Sequence, residues 1–217
     1  MSVDAGRTQR RAQLENGLDV LGLAVSRAAV ESLLNYIALL AQWNEVHNLT
    51  AVRSRDEMVT RHLLDSLVGL PFTHGHVVDI GSGAGLPGLP LAIVEPALHL
   101  VLVDSSGKRT RFLHHAKASL GLTNLDIVHA RVEDYRPGRK FDTLVARAFG
   151  SLPKLWASAR HLGRAGSKIV AWKGAYPATE LSKLSNSVEI DRVIHRVSVP
   201  GLDAVRHLVV LSIPAQD

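Results

Sequence analysis

Asp79 sits near the end of a short apolar run, HVVDI, and Gly81, Gly83 and Gly85 follow it at alternate positions before Pro87 and Pro90. A stretch of this kind lets backbone approach a ligand closely, because glycine reaches conformations closed to other residues and carries no side chain. The nature of the ligand depends on what the loop can donate. Gly83, Gly85 and Gly88 match G-x-G-x-x-G, the pattern that lays a pyrophosphate on the free amides of a helix N-terminus. The match, however, begins three residues past Ile80, and Pro87 and Pro90 remove two amide donors where the helix should start. A site for two phosphates would not discard donors there. No Gly-Lys-Ser/Thr follows, which excludes a Walker loop.

From Asp79 the stretch is D-x-G-x-G-x-G. Asp79 supplies a carboxylate beneath the loop, suited to a ligand carrying an ammonium group, and Gly81, Gly83 and Gly85 supply the close approach. The next strand ends in Asp104, placed to accept hydrogen bonds from ribose hydroxyls. An ammonium, a ribose and no phosphate together describe S-adenosylmethionine; the alternative is a tight glycine turn followed by an incidental acid. HARVEDYR follows the third strand and puts Val132 and Glu133 at the same edge, where an adenine would lie, unless both are plain loop residues.

The elements that must hold these groups are legible as two patterns. Residues 1–70 show helical periodicity: Val30, Leu33, Leu34, Ile37, Leu40 and Ala41 form one apolar stripe, with Ser26 as N-cap and Val25 and Val30 as a hydrophobic staple. Ser54 and Glu57 make a capping box that opens a second helix through Met58, Val59, Leu63, Leu64 and Leu67, closed by Pro71. This segment reads as a helical N-terminal extension. From 71 to 217 the pattern is strand then helix: HVVDI, LHLVLVD, LDIVHA, FDTLVARA and SKIVAWK are strands, and Lys108–Leu120 and Leu152–Leu162 are helices among the connections. That alternation predicts an α/β domain with a parallel sheet covered on both faces. VEIDRVIHRVSV and RHLVVLSI, joined by PGLDAV, predict a terminal antiparallel hairpin.

Composition narrows the setting. The chain has 217 residues, a formal net charge of +5 and no cysteine, which excludes disulfides, thiolate nucleophiles and sulfur-ligated zinc. No apolar stretch approaches the ~20 residues that span a bilayer, and the first residues lack a signal-peptide core, so a cytoplasmic protein is expected. The positive charge favours an anionic partner, of which nucleic acid is the commonest. His74/His76 and His114/His115 suggest metal only superficially, and no metal is expected.

Four segments together carry a family resemblance: NLTAVRSRDEMVTRHLLDSL (48–67), VVDIGSGAGLPGLPLAI (77–93), VDSSGKRTRFL (103–113) and FDTLVARAFGSLPKL (141–155). They resemble the bacterial ribosomal RNA small-subunit methyltransferase G family, also called glucose-inhibited division protein B, over most of the chain and in the same order. The resemblance implies a class I, Rossmann-like methyltransferase with a seven-stranded sheet of order 3-2-1-4-5-7-6, acting on guanine N7 of 16S rRNA in the small ribosomal subunit; a monomer is expected. It implies Gly81, Leu86, Val132, Glu133 and Arg147 as cofactor contacts and places Arg131 near the target base. His47 departs from the pattern, standing where a tyrosine is common, just before Asn48.

Methylation at guanine N7 removes no proton, so the chemistry asks for alignment and not for a general base. Arg131 and Arg147 are then expected to bind phosphate or the guanine O6 edge. Lys108, Arg109 and Arg111 occupy a helix's first turn, where the macrodipole disfavours cations; they face either RNA or solvent. Lys173 follows the fifth strand with the same two readings. His62 and Asp65 (i, i+3) and Arg61 and Asp65 (i, i+4) read as surface pairs. The resemblance adds Asn48 and His62 to the RNA side. Trp43, Phe149, Trp172 and Tyr176 are the available stacking aromatics, with Trp43 better suited to the core.

Overall fold

A computed structural model describes residues 3–185 and 190–215. Helix α1 (Val3–Val20) and helix α2 (Arg27–His47) open the chain. Ser26 caps α2 by accepting from the Ala29 amide at 3.2 Å, and the whole predicted stripe from Val30 to Ala41 is buried. Asn48 closes α2 in the left-handed region, φ 49°, a conformation that asparagine tolerates better than most residues.

The second predicted helix is present but not uniform. It starts at Ser54, whose hydroxyl accepts from the Glu57 amide at 3.4 Å. It then runs through α3 (Arg55–Met58), a widened π-helical stretch at Val59–Leu64, and α4 (Asp65–Leu67). Such stretches are frequent at functional sites. After the first strand come α5 (Gly88–Val94), α6 (Gly107–Leu120), α7 (Leu152–Ala159) and α8 (Ala178–Ser185). A single 3-10 turn, Arg160–Leu162, finishes the predicted 152–162 helix.

The strands are β1 (His76–Ile80), β2 (His99–Asp104), β3 (Leu125–His129), β4 (Phe141–Arg147), β5 (Gly163–Lys173), β6 (Arg192–Val197) and β7 (Arg206–Ser212). They form one sheet of order β3-β2-β1-β4-β5-β7-β6, the order the resemblance implies. The first five are parallel; β7 pairs antiparallel with both β5 and β6. β5 begins four residues before the predicted SKIVAWK, because Gly163 pairs with Phe141 before a register shift brings Lys168 opposite Thr143. β6 is shorter than VEIDRVIHRVSV: Val188 and Glu189 lie outside the described residues, and the strand begins at Arg192.

Alternation along the strands sends side chains to two cores. On one face Val77, Leu100 and Leu102 pack with Leu14 of α1, Leu33 and Ile37 of α2, Leu63, Leu89 and Phe112. On the other, Val78, Val103 and Leu144 pack with Leu155, Trp156 and Leu184. The amino-terminal helices therefore share a core with the sheet. Parallel register brings the carboxyl ends of β1, β2, β3 and β4 to one edge, and with them Asp79, Asp104 and Arg147.

Candidate functional site

At that edge lies a pocket of about 260 Å³ lined by Gly81, Asp104, Arg109, Arg131, Val132, Glu133, Phe149 and Lys154, among others. A larger cavity of about 630 Å³ opens elsewhere, between α1, the π-helical stretch and the β6–β7 turn, with Gln13, Thr60 and Asp203 in its wall. The strand ends and their carboxylates select the smaller one.

The glycine loop builds one wall. The amides of Gly81 and Ser82 donate to the Val103 carbonyl at 2.9 and 3.1 Å, and Gly83 donates to Asp104 Oδ2 at 2.9 Å. Gly81 holds φ +64°, and a Cβ there would come within 2.8 Å of the Phe149 ring, so the backbone at the pocket must stay bare. At the start of α5, Pro87 has no N–H, Gly88 donates to Asp79 Oδ2 at 2.8 Å, Leu89 donates to the Gly85 carbonyl at 2.7 Å, and Pro90 again has none. The amides that would cradle a pyrophosphate are absent or already engaged. This agrees with the argument from the two prolines.

Asp79 is fully buried. Its Oδ1 has no hydrogen-bond partner among the described residues, while Oδ2 holds Gly88. Burial pushes its carboxyl up to about 7, against the pull of the Gly88 amide and the Arg147 charge; nearby Asp104 adds to the rise. Asp79 does not itself line the pocket, and its Oδ1 stays without a donor among the described residues. Asp104 is nearly buried and accepts from the Gly83 amide, the Ser106 amide at 2.8 Å and Arg109 Nη1 at 3.4 Å. It therefore braces the loop as well as lining the pocket, and a carboxylate's four lone-pair sites leave room for a ribose hydroxyl. The same contact answers the puzzle of cations at the start of α6: the Asp104 carboxylate faces Arg109, while Lys108 and Arg111 stay exposed.

Val132 is buried in the pocket wall. Glu133 accepts from the Ser158 hydroxyl at 2.8 Å; its own backbone amide and that hydroxyl hold its carboxyl below the usual range. Leu86 is buried behind the loop, in a cis peptide bond with Pro87. Ala148, at φ +59°, is a non-glycine residue in left-handed backbone on the pocket wall.

Several sequence expectations need correction. Arg61, His62 and Asp65 are not surface pairs. Asp65 is 4% exposed and pairs with Arg147 (Oδ2 to Nη1, 2.9 Å) and Arg206 (Oδ1 to Nε, 2.8 Å). His62 is buried too, with Nε2 on the Thr50 hydroxyl at 2.9 Å; burial, reinforced by Arg147, drives its pKa down to about 4, which leaves it neutral and enclosed. It is not available to RNA. Lys173 is half-buried and not free, because its Nζ donates to the Gly150 carbonyl at 2.6 Å and to Glu180 at 2.7 Å. Trp172 cannot stack on a base: it is buried and donates from Nε1 to the Asp65 carbonyl at 2.7 Å. Asn48 is exposed, with Oδ1 accepting from Arg53.

The sequence reading missed three residues. Tyr36, fully buried, donates its hydroxyl to the Ala84 carbonyl at 2.8 Å and so ties α2 to the glycine loop; burial raises its pKa. A lone tyrosine hydroxyl within an apolar stripe was the available signal, since a buried O–H needs an acceptor. Arg206 and Lys154 gave no local signal. Among the described residues no group of three His, Asp or Glu lies close enough to hold a metal ion, and no helix is long and apolar enough to cross a membrane.

A family model described as rRNA small subunit methyltransferase G matches residues 29–209. The Ribosomal RNA small subunit methyltransferase G of Pseudomonas syringae pv. tomato is 45% identical over 204 residues, covering 94% of this chain and 96% of its own. Among solved structures, a methyltransferase from Pyrococcus furiosus superposes with TM-score 0.56 at 13% identity, covering 68% of this chain and 81% of its own. A SAM-dependent methyltransferase from Aquifex aeolicus gives 0.50 at 16% identity, over 63% and 81%. These structural likenesses establish the fold.

Proposed function

This chain belongs to the rRNA small subunit methyltransferase G family, whose cofactor is S-adenosylmethionine, and from that premise we propose that it methylates N7 of one guanine in 16S rRNA. The observation that carries the reading is the glycine loop with its amides engaged, beside a buried acid with one vacant oxygen. That combination suits a sulfonium nucleoside and not a nucleotide.

When bound, the cofactor supplies an electrophilic methyl group. The chain's residues bind and align. Asp79 would receive the ammonium, Asp104 the ribose, and Val132 with Glu133 would flank the base, while Arg147, which the family resemblance implies as a cofactor contact, is held on the α4 side by Asp65. Gly81 and Phe149 set the closeness of the wall. Guanine N7 carries its lone pair in the ring plane and loses no proton, so no side chain needs to act as base. Asp104 and Glu133, the pocket carboxylates, both serve as acceptors for protein donors, as that chemistry permits. Arg131, exposed on the pocket rim, fixes the incoming nucleotide through its phosphate or O6 edge, with Lys108, Arg109 and Arg111 extending the positive rim. In this reading the enzyme works as a cytosolic monomer on the small subunit.

Mass mapping of 16S rRNA from cells with and without the protein tests the reading: one N7-methylguanine should vanish with it. Arg131→Ala should lower methyl transfer to small subunits by about 100-fold, the scale of a misaligned substrate, while S-adenosylhomocysteine still binds within about threefold of wild type. Unchanged transfer would remove Arg131 from the site.

A further inference from the structure

Arg147 is held from one end. Its Nη1 donates to Asp65 Oδ2 and to the Arg61 carbonyl, both at 2.9 Å, which uses the two hydrogens of that nitrogen. Among the described residues Nη2 and Nε have no hydrogen-bond acceptor, so the other edge of the guanidinium carries unpaired donors. Asp65 itself has little freedom. It is 4% exposed, its second oxygen accepts from Arg206 Nε at 2.8 Å, and its carbonyl accepts from Trp172 Nε1 at 2.7 Å. These anchors come from four elements: the widened helical turn, β4, β5 and β7.

We propose that Asp65 is a positioning residue that fixes the guanidinium of Arg147 toward the cofactor, and that Arg206 makes this placement depend on the docked β6–β7 hairpin. The proposal rests on Arg147 serving the cofactor, as the family resemblance implies. A long arginine side chain in solvent samples many rotamers, and clamping one nitrogen in advance leaves less freedom to lose when ligand arrives. Asp65 touches no substrate in this scheme; it acts through Arg147. Its charge also matters, because a carboxylate between two guanidinium groups lets both approach one site without mutual repulsion.

The test is a double-mutant cycle on the full chain, read as S-adenosylhomocysteine affinity by calorimetry, with melting temperature measured alongside. Asp65→Asn and Arg147→Gln should each weaken binding by about tenfold, and the double variant should be no more than about twofold weaker than Arg147→Gln alone. Arg206→Gln, a change at a partly exposed side chain, keeps the test open if Asp65→Asn fails to fold. It should weaken binding in the wild-type background and have no effect once Arg147 is Gln. Losses that multiply in the double variants would overturn the proposal, as would a lower melting temperature with affinity unchanged. If Arg147→Gln alone leaves affinity intact, the cofactor role of Arg147 falls and the proposal with it. A failure of the rRNA assignment would leave the cycle untouched.

Discussion

Asp79→Asn is expected to stabilise the protein progressively as pH rises, relative to wild type, while weakening its hold on the cofactor. Burial raises the Asp79 carboxyl from 3.8 to about 7, so the native state binds a proton more tightly there than the unfolded chain does. The stability this group contributes is complete below the unfolded value and is lost as pH climbs through about 7. Asparagine keeps a carbonyl for the Gly88 amide but does not titrate. The stability difference between variant and wild type should therefore grow by about 2–3 kcal/mol between pH 5 and pH 8. Taking the difference across pH cancels any fixed cost of burying the new amide. S-adenosylhomocysteine affinity should fall by at least about tenfold, since a charge-assisted bond to the ligand's ammonium is lost. Denaturant titrations at the two pH values check the first part and calorimetry the second. A flat difference would mean that Asp79 is ionised in the free protein without penalty. Stability given up for function is common at active sites.

Gly69→Ala is expected to cost about 3 kcal/mol, lowering the melting temperature by roughly 6–12 °C for a chain of this size. Gly69 has an ordinary helical backbone, φ −87°, so the penalty is one of space alone. A Cβ there would lie 2.0 Å from Trp172 Cζ2 and 2.4 Å from Cη2. The indole cannot step aside, because it is buried and its nitrogen is bonded to the Asp65 carbonyl. Any shift that makes room also displaces Asp65, so cofactor affinity should fall together with stability. Gly138→Ala, where a Cβ meets nothing within 4 Å, is the control and should melt with the wild type. A Gly69→Ala protein that melts normally would show that the Trp172 side chain is mobile.

What could be read from sequence follows from the range of the forces involved. The glycine loop, the strand-end acids, the α2 stripe and the terminal hairpin are written within a few residues of one another, in turn chemistry and periodicity. The proline argument held because it concerns which amides exist at all. Asp65 was misread for the opposite reason. Spacing on one helix offered Arg61 and His62 as its neighbours, but its true partners, Arg147 and Arg206, lie 82 and 141 positions away. Local pattern cannot see such contacts, nor the burial that leaves His62 neutral. The helix α8 was missed because its only strong apolar positions are Leu181 and Leu184, too few to show a period. Lys173 was misjudged with it, since Glu180 on that helix takes its charge.

The place of β7 between β5 and β6 has a consequence for a chain still being synthesised. β5 emerges from the translating ribosome with its outer edge unfilled, and β6, made next, is not the strand that fills it. Only when Arg206–Ser212 has cleared the exit tunnel can the hairpin zip up and seat itself, and the same event delivers Arg206 to Asp65. A nascent polypeptide would thus hold its glycine loop and most of its pocket before the last brace arrives.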